Sequence, residues 1–127
     1  MEDAMYDKGM KIRREVLGDA YVDKASANID DFTEDFQKMV TAYCWGEIWG
    51  REGLDRRTRS IINIAMISVL NRQHELAAHI RGAITNGVSK DEIKEILLQV
   101  GIYGGVPAMV DSFRIAKQAL GELDAAK

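Results

Sequence analysis

The sequence contains little cysteine and proline, and each scarcity excludes a class of structure. Cys44 is the one cysteine in 127 residues, which excludes an internal disulfide and any C-x-x-C redox or zinc pair and fits a reducing compartment. The one proline, Pro107, leaves long segments uninterrupted. At 14.2 kDa the chain has the length of one compact domain, which we predict to span residues 1–127 with its core over about 6–120.

The sequence also lacks an excess of positive charge and a long hydrophobic run. A formal charge of -3 and a pI near 5.4 argue against a nucleic-acid partner, which requires a concentrated basic face. The longest apolar stretch, residues 61–70, is about half the roughly 20 residues of a membrane span. The first residues, Met1-Glu2-Asp3, are acidic, whereas a secretory leader begins with positive charge. We therefore expect a cytoplasmic protein that binds neither nucleic acid nor membrane.

Apolar residues recur at helical spacing along the chain. One stripe follows i, i+4, i+7, i+8 and i+11 and comprises Phe32, Phe36, Met39, Val40 and Tyr43, with Asp30 or Asp31 as its cap. Further stripes comprise Leu76, Ile80, Ala83 and Ile84; Ile93, Ile96, Leu97 and Val100; and Val110, Phe113 and Leu120. Since no segment alternates with period two for long, the sequence predicts an all-α domain of about six helices.

Local signals place the ends of several of these helices. Ser89 to Glu92 forms a capping box after Gly87, and Pro107 suits the first turn of the last helix. Residues 59–70 are apolar on every side, so we expect this helix at the centre of the packing. Residues 18–30 are predicted to form a loop with a short helix, and the polar tail 121–127 is predicted to fray.

His79 and Glu47 are candidate functional residues because each falls on a face that the pattern predicts to be apolar. His79 lies on the stripe within residues 76–84, and Glu47 extends the preceding stripe by one turn. The alternatives are a core histidine with a satisfied hydrogen bond and a solvated surface acid. His74 lies five positions before His79, and a metal held from one helix needs i,i+4 spacing, so no metal site is predicted.

Arg13 and Arg14 straddle the apolar edge of a first predicted helix over about residues 5–17. Charged side chains at an apolar edge make both arginines candidate functional residues. The alternative is that they are ordinary surface charges paired with Glu15 or Asp19. The residues alone leave both interpretations open.

Three groups of residues, taken in order, carry a resemblance to a known family. They are Tyr6-Asp7-Lys8-Gly9-Met10-Lys11-Ile12-Arg13-Arg14-Glu15-Val16-Leu17-Gly18; Trp45-Gly46-Glu47-Ile48-Trp49 with Gly53-Leu54 and Arg59-Ser60; and Glu75-Leu76, His79, Asn86-Gly87-Val88, Asp91-Glu92-Ile93-Lys94-Glu95 and Tyr103-Gly104-Gly105-Val106-Pro107-Ala108. Together they resemble the 4-carboxymuconolactone decarboxylases. The resemblance implies an all-α fold shared with the alkylhydroperoxidase-D-like proteins and assembly as a homo-oligomer, a trimer or hexamer.

The resemblance also implies an activity, the decarboxylation of 4-carboxymuconolactone to β-ketoadipate enol-lactone in the protocatechuate branch of aromatic catabolism. No cofactor is expected, because the electrons left by the departing carboxylate delocalise through the ring alkene onto the lactone carbonyl. Thiol peroxidases of the same superfamily carry C-x-x-C before the histidine, where this chain has Arg72 and Glu75. A dithiol peroxidase is therefore disfavoured.

With this resemblance, we hypothesise a role for each candidate residue. His79 stabilises and protonates the dienolate, Glu47 orients His79 or moves the proton, and Arg13 and Arg14 bind the retained carboxylate. The departing carboxylate faces apolar atoms such as those of Trp45. Two alternatives stay open: a paralogue that acts on another unsaturated lactone or keto acid, and a non-catalytic oligomeric binding protein of the same fold.

Overall fold

The computed structural model describes the backbone of residues 2–127 and the side chains of residues 4–127, and within this part the fold is all-α, as predicted. Its elements are α1 (Glu2–Leu17), α2 (Asp19–Ala27), α3 (Glu34–Met39), a π-helical segment (Val40–Ile48, the π segment), α4 (Arg56–Leu70), α5 (Gln73–Thr85), α6 (Lys90–Tyr103) and α7 (Val106–Ala125). No helix of the described part is long and apolar enough to cross a membrane. The chain divides into two compact units, an N-terminal unit ending at Asp55 and a C-terminal unit beginning at Arg56.

The N-terminal unit is built on the packing of α1 against the π segment. Ile12 and Val16 of α1 are buried with Trp45 and Trp49, whose rings stack with centroids 4.8 Å apart. The two backbones approach very closely at Gly9, where an added Cβ would lie 1.8 Å from the Thr41 carbonyl oxygen. Glycine is therefore required at this position by the packing of the two elements.

The apolar residues of the predicted stripe over residues 32–43 do not form a buried helix face. The side chain of Phe32 is 94% exposed and that of Tyr43 is 54% exposed. Asp30 closes a turn, its Oδ1 accepting hydrogen bonds from the amides of Phe32 and Thr33, so the helix begins later than expected, at Glu34. From Val40 the π segment takes more residues per turn than the 3.6 of an α-helix, and a different set of residues faces α1. That buried set comprises Thr41, Ala42, Trp45 and Gly46.

The C-terminal unit packs α4, α5, α6 and α7 around one apolar core. The capping box of α6 is confirmed, since the Ser89 hydroxyl accepts from the Glu92 amide and the Glu92 carboxylate accepts from the Ser89 amide. Gly87 has φ 92°, the left-handed conformation that glycine adopts without strain, and Pro107 lies in the first turn of α7. The buried core residues are Ile64, Leu76, Ile80, Ala83, Val88, Ile93, Leu97, Ile115, Ala116 and Ala119.

Two expectations about this unit are corrected. The α4 helix is not enclosed on every side: Ile64 is fully buried, whereas Met66, Val69 and Leu70 are at least half exposed. The tail does not fray at residue 121, because α7 continues to Ala125 and Asp124 pairs with Lys90 of α6. The expected short helix between residues 18 and 30 is confirmed as α2.

Candidate functional site

Arg13 is a buried arginine in the interior of the N-terminal unit. Only 8% of the residue is exposed, and its Nη1 donates to Gln37 Oε1 at 3.3 Å and to Thr41 Oγ1 at 3.5 Å. Both acceptors are neutral, and no carboxylate of the described residues forms an ion pair with Arg13. The buried Nε has no hydrogen-bond partner in the described part of the chain. Arg13 therefore retains a positive charge that the surrounding protein does not neutralise.

Arg14, the next residue along α1, is neutralised within the same unit. Its two terminal nitrogens pair with Asp19 Oδ1 at 3.0 Å and with Asp23 Oδ1 at 2.9 Å. The hydrogen bonds that Arg14 donates to these carboxylates raise its pKa above the ordinary value. Arg14 thus links α1 to α2, as in the alternative interpretation that paired it with Asp19, and its proposed binding of substrate stays a prediction.

Trp45 and Glu47 lie on different faces of the π segment. Trp45 is 4% exposed and stacks on Trp49 in the core, so its ring presents apolar atoms within the unit. Glu47 is exposed, and its Oε1 accepts a hydrogen bond from Arg51 Nη1 at 3.4 Å. Because Glu47 belongs to the N-terminal unit and His79 to the C-terminal unit, the proposed action of Glu47 on His79 stays a prediction.

His79 lies near the middle of α5, half-buried between turns that face the core of the C-terminal unit. Burial lowers the pKa of His79 from 6.5 to about 4, because an imidazolium loses hydration there, while the nearby Glu75 carboxylate partly opposes the shift. At neutral pH the imidazole is therefore uncharged. An uncharged imidazole still has one N–H donor and one acceptor nitrogen, which suits it to polarise a carbonyl oxygen.

Sequence reasoning missed Gln37 and Thr41, which hold the Arg13 side chain. No sequence motif identifies them, because their placement depends on the π segment and on the close approach of α1 at Gly9. The described residues contain no cluster of three or more histidine, cysteine or acidic side chains that could hold a metal ion. The candidate polar groups are thus the uncompensated guanidinium of Arg13 and the exposed carboxylate of Glu47 in the N-terminal unit, and the neutral imidazole of His79 in the C-terminal unit.

Comparison with known proteins identifies relatives over nearly the whole chain. The model of the carboxymuconolactone decarboxylase family matches residues 34–118, which include Trp45, Glu47 and His79. A 4-carboxymuconolactone decarboxylase from Acinetobacter baylyi is 39% identical over 122 residues, covering 96% of this chain and 91% of the relative. A nitrosuccinic acid decarboxylase from Metarhizium robertsii is 36% identical over 119 residues, covering 94% of this chain and 83% of the relative.

The low pKa of His79 predicts a pH-dependent loss of stability. Below pH 6.5 the unfolded chain takes up a proton that the folded chain does not, so the free energy of unfolding falls as the pH falls, until the pH passes below about 4. The loss is about 2 kcal/mol at pH 5 and about 3 kcal/mol at pH 4. Replacement of His79 by glutamine removes this contribution.

Urea unfolding of the wild-type protein and of His79→Gln at pH 7 and pH 5 measures the effect. The wild type should lose about 2 kcal/mol more than the variant between the two pH values. The same loss in both proteins would show that His79 titrates normally in the folded state.

Proposed function

Because the chain belongs to the carboxymuconolactone decarboxylase family, we propose that it decarboxylates 4-carboxymuconolactone to β-ketoadipate enol-lactone, without a cofactor, in the breakdown of aromatic compounds. The observation that carries the proposal is the uncompensated charge of buried Arg13, in a chain 39% identical to a decarboxylase of that dianionic lactone. Burying a guanidinium is costly, and a bound carboxylate offsets that cost.

The proposed reaction proceeds because the substrate accepts its own electrons. The departing carboxylate lies on the γ carbon of an unsaturated lactone. When its bond to carbon breaks, the electron pair moves through the ring alkene and becomes a dienolate on the lactone carbonyl oxygen, and carbon dioxide leaves. A proton added to carbon then gives the enol-lactone. The protein needs to bind a dianion, stabilise a developing oxyanion and supply a proton.

Arg13 is proposed to bind the carboxylate that the product retains. A guanidinium donates two parallel hydrogen bonds to a carboxylate, and its charge is worth more in a buried site than in water. The departing carboxylate should instead face apolar atoms such as those of Trp45, since a cation there would stabilise the ground state and slow the reaction. Arg14 has two carboxylate partners of its own, so we expect Arg13 to contribute more of the binding.

His79 is proposed to stabilise the dienolate and to deliver the proton. Its imidazole is neutral before the reaction, so its N–H first donates a hydrogen bond to the lactone oxygen. As negative charge develops on that oxygen, the pKa of the imidazole rises, because a nearby anion favours its protonated form. The imidazole then takes up a proton that Glu47 relays from solvent, donates a proton to the dienolate carbon and returns to its neutral form. Glu47 is exposed to solvent, which suits its proposed role in moving the proton.

A second candidate substrate is supported by the relative that decarboxylates nitrosuccinic acid. Nitrosuccinate and the lactone share two chemical features: a carboxylate on a carbon whose electrons pass into an adjoining acceptor group, and a second carboxylate that is retained. An arginine that binds the retained carboxylate serves both molecules. The second candidate is therefore a decarboxylase of a different activated dicarboxylic acid.

We also propose that the protein is a homo-oligomer, a trimer or hexamer as the family resemblance implies. Each unit exposes large apolar side chains, and Ile102 and Tyr103 at the end of α6 are 82% and 85% exposed. Exposed apolar surface of this kind is typical of an interface.

Light scattering at micromolar concentration should give a multiple of 14.2 kDa, and a mass of one chain would contradict the proposal.

The activity is tested by adding purified protein to 4-carboxymuconolactone and measuring the carbon dioxide released, with nitrosuccinate as a parallel substrate. Release from the lactone supports the first proposal, release from nitrosuccinate alone supports the second, and release from neither contradicts both.

Replacement of His79 by glutamine should lower kcat about 100-fold or more, as expected for loss of a general acid. An unchanged kcat would remove His79 from the mechanism.

His74→Gln is the matched control, because His74 is exposed on the same helix and has no proposed role. It should keep the wild-type kcat. A similar decrease in both variants would indicate damage to α5 rather than loss of a catalytic group.

A further inference from the structure

Three elements of the N-terminal unit meet at the guanidinium of Arg13. The arginine extends from α1, Gln37 lies on α3, and Thr41 is the second residue of the π segment. The Nη1 atom donates to both neutral oxygens, at 3.3 Å from Gln37 Oε1 and 3.5 Å from Thr41 Oγ1. The side chain is thus held at a fixed position by uncharged acceptors.

Such a setting is unusual for a buried charge, because burial of a guanidinium costs several kcal/mol unless an anion compensates it. The amide and hydroxyl supply dipoles but no charge. The neighbouring Arg14 has two aspartates at 3.0 and 2.9 Å, so this part of the fold does place carboxylates beside an arginine. The contrast between these two consecutive arginines indicates that the charge of Arg13 is available to an anionic ligand.

We propose that Gln37 and Thr41 are positioning residues that hold Arg13 through neutral oxygens and so reserve its charge for a carboxylate of the substrate. That the carboxylate belongs to a decarboxylation substrate rests on the proposed function. The neutrality of position 37 is the decisive feature. A glutamate there has almost the same shape, but its charge would pair with Arg13 and exclude the carboxylate of a ligand.

The position of Thr41 is fixed by the same packing that fixes Arg13. The Thr41 carbonyl packs directly against Gly9, in the space that a Cβ at Gly9 would occupy. Gly9 and Arg13 both lie on α1, so the same helix carries the arginine and the backbone against which Thr41 packs. Thr41 is 1% exposed, and its hydroxyl oxygen is directed at Arg13. The close contact of the two helices therefore sets the distance between the guanidinium and its hydroxyl partner.

The test compares Gln37→Glu with Gln99→Glu, which makes the same chemical change at an exposed site on α6. Succinate is the probe, because it carries carboxylates and cannot be decarboxylated by the proposed route. Binding is measured by calorimetry and by the rise in Tm, against sodium chloride at equal ionic strength. We expect Gln37→Glu to weaken succinate binding at least about tenfold and to melt no lower than the wild type, since it gains a charge-assisted hydrogen bond.

The Gln99→Glu control should bind succinate as the wild type does. Wild-type affinity in Gln37→Glu would overturn the inference, and so would a wild-type protein that does not bind succinate. Loss of binding with a large fall in Tm would show a merely structural role for Gln37 and would overturn it as well.

A second pair of variants tests Thr41. Thr41→Ser keeps the hydroxyl and should bind succinate with near wild-type affinity, whereas Thr41→Val removes it and should weaken binding several-fold. Equal binding by the two variants would exclude Thr41 as a positioning residue. These binding experiments test the inference separately from the proposed function. Succinate binding that depends on Gln37 and Thr41 would support the inference, and a lack of carbon dioxide release from the lactone by the same protein would contradict the proposed activity.

Discussion

The burial of an uncompensated guanidinium is the constraint on which the rest of the site depends. Arg13 is almost inaccessible, yet its hydrogen-bond acceptors are an amide and a hydroxyl rather than a carboxylate. The packing of α1 on the π segment offsets the free-energy cost of burying this guanidinium. Stacked tryptophans and the contact at Gly9 fix the backbone there. We propose that a substrate carboxylate binds Arg13 with little further loss of side-chain freedom, because the guanidinium is already buried and hydrogen-bonded.

Burial also determines the protonation state of His79, but here it favours the uncharged form of the side chain. Burial keeps its imidazole neutral at neutral pH, so it adds no positive charge that would stabilise the departing carboxylate. In the proposed mechanism, its hydrogen bond to the lactone oxygen becomes stronger as the oxyanion develops, and an interaction that grows toward the transition state raises the rate. Since the substrate delocalises its own electrons, these few groups meet the demands of the proposed chemistry.

The elements that were predicted correctly are those with strong local signals. The box of Ser89 and Glu92 starts α6, and Pro107 starts α7, because both signals act within a single turn. The π segment was not predicted, because the apolar pattern was matched to α-helical spacing whereas this segment has more residues per turn and buries Thr41, Ala42, Trp45 and Gly46. The partners of Arg13 were not predicted either, because Gln37 lies 24 residues from Arg13 and only the folded chain brings the two together, whereas Asp19, close to Arg14 in sequence, was predicted as a possible partner. His79 was chosen as a candidate because a polar residue interrupts the apolar stripe of its helix, and its role stays a prediction.

The central claim is that Arg13 contributes more than Arg14 to binding the carboxylate of the substrate. It is tested most directly by nuclear magnetic resonance of protein labelled with 15N in its arginine side chains, with the Nε resonances assigned from Arg13→Lys and Arg14→Lys. The account predicts that succinate shifts the Arg13 Nε–H resonance and slows its exchange with water, while the Arg14 resonance stays where its two aspartates hold it. An Arg13 resonance that is unmoved at saturating succinate would contradict the account.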